Sequence, residues 1–389
     1  MRKVAVVTVA RSDYGILRPV LKALLARAGV DLRIIATGMH LDPRFGDTVT
    51  EIEVDGFTIA DRVETGRKGD DAQDIAAAMG REVAGLSDVF AVSRPDILVV
   101  LGDRFEMLAA AVASLPFNIA VAHIHGGEAS FGAIDDAMRH AITKLSHLHF
   151  ASTRPYADRI LQMGEAPENV FVSGAPGLDN LKSLALPSMD DVARQFRFSY
   201  DHDRPPIVVT YHPETRSDQA PGKQIDAVLA ALGNVDGPIL FTMPNADAGG
   251  LEIAERIRAF CGGRDGADLV DNLGTANYFT VLGAARAMVG NSSSGIIEAA
   301  SFELPVVNIG DRQKGRICGA NVIHCPLDTN RISEAVGQAI SPGFRVGLAG
   351  LQNPYGDGTA SDRIATVLET VPLGPALTTK LFHDAVERS

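Results

Sequence analysis

The sequence predicts an α/β protein made of two Rossmann-like, doubly wound domains facing across a cleft. Three observations carry this. Short β-branched runs, each closed by Gly, Asn, Asp or Ser and followed by a helical pattern, recur from end to end, as parallel α/β units require. The 389 residues exceed what one core holds at ~150 residues per domain. A polar, Pro-rich stretch, Asp201-His202-Asp203-Arg204-Pro205-Pro206, separates two sets of runs of similar size.

The first set lies at residues 4–10, 32–38, 96–102, 119–125, 148–152 and 170–174, so six strands are expected in a first domain over 1–185. Residues 186–206 read as a linker. The second set, at 207–211, 238–243, 268–272, 287–291, 305–309 and 321–324, predicts a second domain over 207–371. A tail over 372–389 carries a helical pattern at 380–388.

Asp and Glu number 48 against 36 Lys and Arg, and the resulting charge of −12 disfavours partners bound by general basic attraction. Nucleic acid and anionic membrane are therefore not expected. Cys261, Cys318 and Cys325 show no C-x-x-C spacing and fit a reduced, cytoplasmic compartment. The apolar run at 4–10 is cut short by Arg11 and Asp13 and reads as a buried strand rather than a signal peptide. The longest other run, at 107–117, falls well below the ~20 residues of a membrane span. A homo-oligomer, dimer or tetramer, is the expected assembly.

Ligands of doubly wound sheets bind beyond the carboxyl ends of the strands, so the residues there are the candidates. No G-x-G-x-x-G follows the first strand, where Ala10-Arg11-Ser12-Asp13-Tyr14-Gly15 stands, and no G-x-x-x-x-G-K-[ST] occurs. A nicotinamide or ATP mechanism thus has no support, and no cofactor is expected. Gly290-Asn291-Ser292-Ser293-Ser294-Gly295 ends a strand and opens a helix, an arrangement that can hold an anion on backbone N–H groups and hydroxyls. The alternative is a capped turn serving only the helix. Glu298, one turn on, can accept both hydroxyls of a ribose, or simply complement the helix dipole.

Arg11, after the first strand, and Arg312, in Gly310-Asp311-Arg312-Gln313, are placed to neutralise phosphate, or to form surface ion pairs. His212 closes the first strand of the second half before a Pro turn. Three acidic clusters end strands or open helices in the first half: Asp103-Arg104, His123-Ile124-His125-Gly126-Gly127-Glu128 and Asp135-Asp136. One alone would be a cap or turn former, whereas three on one sheet edge with imidazoles beside them point to acid–base chemistry. No H-E-x-x-H or Cys/His ligand spacing is present, so no metal is expected.

Four segments in this order, Gly102-Asp103-Arg104-Phe105-Glu106, the His123–Glu128 run, Ile134-Asp135-Asp136-Ala137-Met138-Arg139-His140-Ala141-Ile142-Thr143-Lys144-Leu145 and the Gly290–Gly295 loop, resemble the UDP-N-acetylglucosamine 2-epimerases. The likeness is to their hydrolysing branch, which serves sialic and legionaminic acid synthesis. It implies a glycosyltransferase-B-like fold and a UDP-sugar substrate. UDP-N-acetylglucosamine would give N-acetylmannosamine and UDP; UDP-N,N′-diacetylbacillosamine is the alternative. By motif position Ser292 and Ser293 would hold the diphosphate, Glu298 the ribose, Arg11 and Arg312 the phosphates, with Arg104 also on the substrate. Asp103, Asp135 and His212 would act around the sugar and leaving group. The family pattern H-I-E-G-G-E has Glu where this chain has His125, which leaves open whether Glu128 or His125 takes that carboxylate's role. A glycosyltransferase or a sugar-nucleotide sensor are the readings of other classes; neither calls for three acidic clusters.

Overall fold

The computed structural model describes residues 1–389 except 47, 68, 70, 130–133, 215–218, 245–248 and 385–389, and, at 45, the side chain. The chain divides into two units, Met1–Asp179 with Tyr355–Ser389, and Asn180–Pro354.

The first unit is built on seven parallel strands: β1 (Arg2–Thr8), β2 (Val30–Thr37), β3 (Ile59–Val63), β4 (Ile97–Leu101), β5 (Ala120–Ile124), β6 (Leu148–Ala151) and β7 (Val170–Val172). Their order is β3-β2-β1-β4-β5-β6-β7. The second unit holds β8 (Ile207–Thr210), β9 (Ile239–Thr242), β10 (Ala267–Val270), β11 (Ala287–Gly290), β12 (Val306–Ile309) and β13 (Val322–Cys325), ordered β10-β9-β8-β11-β12-β13. Both begin with the 3-2-1-4-5-6 order of doubly wound sheets, with helices in every crossover except that from β12 to β13. Val4, Val6 and Val7 of β1 and every residue of β4 and β5 are buried, as strands covered on both faces must be.

β3 is the strand that sequence reading missed. Only Ile59 and Val63 of its five residues are buried, since it lies at the sheet edge, so no continuous apolar run marks it. The expected boundaries also need correction. Residues 186–206 are not a linker: the helix Met189–Phe196 puts Met189, Val192 and Ala193 into a core with Val208, Leu240 and Leu282 of the second unit. The second unit ends at Pro354 rather than at 371, because the helix Ala360–Thr370 sends Ile364, Ala365 and Leu368 into the core of the first. Arg2 fastens that helix by donating to the carbonyls of Leu368 (2.5 Å) and Val371 (2.6 Å). The tail helix expected at 380–388 is absent over 380–384, where a short helix, Pro375–Thr378, precedes extended chain; the rest of that expectation lies outside the described residues. Among the described residues no helix is long and apolar enough to cross a membrane.

Candidate active site

In the first unit the candidate residues gather at the carboxyl ends of β4, β5 and β6, which are neighbours in the sheet. Asp103 follows β4, His125 follows β5 and Ser152 follows β6. The turn after β5 is tight. His125 holds φ +64°, a left-handed conformation unusual for a residue with a side chain, and Gly127 holds φ +74°, where a Cβ would stand 2.4 Å from the Tyr156 carbonyl. Strain of this kind is characteristic of functional turns.

Within that turn the imidazole Nδ1 of His125 lies 2.5 Å from Oε1 of Glu128, and the same oxygen accepts the Ser152 hydroxyl at 2.6 Å. A carboxylate acceptor places a proton on Nδ1; Nε2 is buried and has no hydrogen-bond partner among the described residues. Arg139 ties the cluster together. Its guanidinium donates to the His125 carbonyl at 2.8 Å and to the Asp103 carboxylate, and lies 4.0 Å from Oε2 of Glu128. Arg139 sits on the helix Ile134–Leu145, one turn after Asp135, so both face the same way along it. Asp135 itself is exposed in the helix's first turn.

His123, one of the neighbouring imidazoles, is structural. Its Nε2 donates to the Gly102 carbonyl at 2.7 Å, and burial pushes its pKa down to about 3, so it stays neutral. Arg104 precedes the helix Phe105–Ser114 without capping it, its Nη1 3.8 Å from the sulfur of Met39. Arg11 opens the helix Arg11–Leu25, and its guanidinium pairs with Glu51 on the surface, the ion-pair alternative of the sequence reading. Where a dinucleotide fold would hold phosphate, the buried Asp13 carboxylate accepts from the amides of Val9 and Ala10, each at 2.7 Å, which accounts for the missing glycine fingerprint.

In the second unit the Gly290–Gly295 loop joins three strand ends. Gly290 is obligatory at φ +138°, because a Cβ would stand 1.9 Å from the Thr210 carbonyl oxygen. Asn291 is fully buried and clamps His212, accepting its amide at 2.7 Å and donating to its carbonyl at 2.9 Å. Arg312 and Gln313 in turn donate to the Asn291 carbonyl at 3.2 and 2.9 Å. The helix that this loop opens is Ser293–Ile297, capped by the Ser292 hydroxyl, which accepts from the Ser294 amide at 3.3 Å. Ser292 thus has a capping duty whatever else it binds, and Glu298 is the residue that ends this helix. Glu214 accepts from the amides of Asp311 and Arg312 at 3.0 and 3.2 Å, beside a cavity of about 630 Å³ lined also by Asn308, Lys314, Arg316, His324 and Cys325.

The family model described as UDP-N-acetylglucosamine 2-epimerase matches residues 22–369. The chain belongs to that family. A UDP-N,N′-diacetylbacillosamine 2-epimerase (hydrolyzing) of Legionella pneumophila is 40% identical over 374 residues, 96% of this chain and 97% of that one. A GDP/UDP-N,N′-diacetylbacillosamine 2-epimerase (hydrolyzing) of Campylobacter jejuni is 37% identical over 329 residues, 84% and 85% of the two chains. The crystal structure of a UDP-GlcNAc 2-epimerase from Neisseria meningitidis bound to UDP-GlcNAc matches with a TM-score of 0.81 at 19% identity, covering 94% and 99%. The fold of this epimerase-family chain is accordingly glycosyltransferase-B-like, with two Rossmann-like units. Sequence reading missed Arg139 and Asn291 as organising residues. A charged residue on the helical face that also carries Ile142 and Thr143 was the available signal for Arg139; Asn291 stood hidden among the serines of its loop.

Proposed function

We propose that this protein is a hydrolysing UDP-sugar 2-epimerase. The reaction eliminates UDP across C1 and C2 of a 2-acetamido sugar, breaking the C1–O bond and losing the C2 proton to a base. Water then adds at C1 of the resulting glucal, and a proton adds to the other face of C2. The products are UDP and the free manno sugar.

The Asp103–Arg139–Glu128–His125 network is the observation that carries the reading, because two proton transfers need two positioned groups. His125, its tautomer fixed by Glu128, takes the place of the family carboxylate as one transfer group, and Asp103 or Asp135 serves as the other. Arg139 bridges the Asp103 and Glu128 carboxylates and holds both in place. His212, Ser292, Ser293 and Arg312 are assigned to the leaving diphosphate, Glu298 to the ribose, and Arg104 to the sugar.

Of the two sugars, the names of the 40% and 37% identical relatives favour UDP-N,N′-diacetylbacillosamine; UDP-N-acetylglucosamine is the second reading, supported by the family description. Incubating the pure protein separately with each, and following UDP release and the manno product, tests the proposal. Turnover of the diacetylated sugar at a higher kcat/KM supports the first reading. Turnover of neither removes the epimerase assignment.

A further inference from the structure

The C-terminal segment makes a set of contacts that neither fold nor chemistry yet explains. Lys380 is half-buried and points its ammonium at the carboxyl end of the helix Ile134–Leu145, donating towards the carbonyls of Thr143 (3.2 Å), Lys144 (2.7 Å) and Ser146 (2.5 Å). The last carbonyls of a helix have no partners within it, and a cation there also complements the helix dipole. The same ammonium lies 2.7 Å from Oε2 of the buried Glu165, which accepts from Lys144 at 2.7 Å and from His149 on β6 at 2.9 Å. Burial alone would push the Glu165 carboxyl up, but these three donors hold it down at about 2, so it remains an anionic anchor.

Two further contacts seat the segment. His383 donates its amide to the Gly164 carbonyl at 2.9 Å, and the Phe382 ring lies against Gly164 with the Lys144 ammonium 5.1 Å from its centre. Hydrophobic burial is not what holds it, since Leu381 and Phe382 remain 76% and 67% exposed. The attachment is polar, directional and aimed at one helix, whose other turns present Arg139 and Asp135.

We propose that the segment Lys380 to His383 is a positioning element for the helix Ile134–Leu145, and that Lys380 is the positioning residue through which it acts. This rests on the roles given above to Arg139 and its partners. Lys380 fixes the carboxyl end of the helix against Glu165, and the helix transmits that register to Arg139, one turn before Thr143. Arg139 then holds Asp103, His125 and Glu128 in line.

The test compares Lys380→Met, which keeps the stem and removes the charge, with Lys380→Arg, which keeps the charge. Lys380→Met should lower kcat about ten-fold, as a small displacement of positioned groups does, with the Kd for UDP changed less than two-fold. Lys380→Arg should restore most of the loss. Hydrogen exchange of the full-length protein should quicken over 134–145 in the Met variant and stay unchanged in the second unit. A lowered melting temperature with wild-type kcat, or a loss that arginine does not rescue, would overturn the proposal. If Lys380→Met does not fold, Lys380→Gln carries the same comparison, and if neither folds the segment is a folding element and the proposal falls. A wild-type protein that turns over no UDP-sugar refutes the proposed function instead, while the exchange pattern still decides whether the segment orders the helix.

Discussion

The imidazole of His125 and the carboxylate of Glu128, three residues apart, are joined Nδ1 to Oε1 at 2.5 Å, with the Ser152 hydroxyl on the same oxygen. Residues acting as one unit lose function non-additively. His125→Asn should lower kcat by about 10²–10⁴, and Glu128→Gln by about 10², without weakening UDP binding. The double variant should be no slower than His125→Asn alone. Steady-state kinetics of the three proteins decide this, and additive losses would separate the two residues.

Asn291 joins β11 to His212 through both atoms of its side-chain amide. Asn291→Asp keeps the acceptor for the His212 amide but turns a second acceptor towards the His212 carbonyl, in a fully buried position. Its cost should reach about 3 kcal/mol, the scale of an unpaired buried charge. Urea denaturation should show it, and calorimetry should show UDP affinity falling about ten-fold as the loop shifts.

Capping and ligand duties of Ser292 can be separated. Glycine replaces a serine cap at a cost of a few tenths of a kcal/mol, whereas alanine costs about 1 kcal/mol. Ser292→Gly should therefore melt close to wild type yet bind UDP about ten-fold more weakly, because a hydrogen bond to a charged group contributes ~1.5–3 kcal/mol. Ser293→Ala and Arg312→Ala should weaken UDP binding to a similar degree. Unchanged affinity in all three would leave the loop as a helix cap only.

Glu82 is wholly buried, with burial and the nearby Glu106 pushing its pKa up to about 8. Thr37 has one hydroxyl proton, engaged by the Val63 carbonyl at 2.8 Å, so its 3.0 Å contact with Glu82 calls for a protonated carboxyl as donor. The unfolded chain releases that proton near the ordinary carboxylate value and the folded chain only near pH 8. Stability contributed by the neutral form is therefore lost progressively as pH rises from about 5 to 8. Glu82→Gln removes this dependence, and its melting temperature relative to wild type should climb across that interval. A constant difference between the two proteins would show Glu82 ionised throughout.

Elimination and hydration leave a mark that other routes do not. Turnover in D₂O should give a manno product carrying one deuterium at C2, together with UDP, read by proton NMR and mass spectrometry. A product that retains its original C2 hydrogen would exclude the assignment of His125, Asp103 and Asp135 to proton transfer.

Twelve of the thirteen strands among the described residues were legible because parallel strands covered on both faces leave continuous β-branched runs, as at Ile97–Leu101. β3 escaped because an edge strand need bury only Ile59 and Val63. The strand-end rule found Asp103, His125, Glu128 and His212, since topology fixes where a strand's last side chains emerge. It could not find the partners, because Arg139 reaches Asp103 across 36 positions and Asn291 reaches His212 across 79, and pairings at that distance leave no local pattern. Arg11 was read by its position alone; its pairing with Glu51 depends on where the helix Val49–Val54 packs.

The first unit is discontinuous in sequence, completed only by Tyr355–Ser389, whereas the second is one uninterrupted stretch, Asn180–Pro354. During synthesis the second can therefore close its core while the first still lacks Ile364, Ala365 and Leu368, and leaves the apolar faces that receive them open. The ribosome must make all of the second unit before Arg2 can meet the carbonyls of Leu368 and Val371. The strand made earliest in this unit is thus sealed by a helix made only after the whole of the second unit.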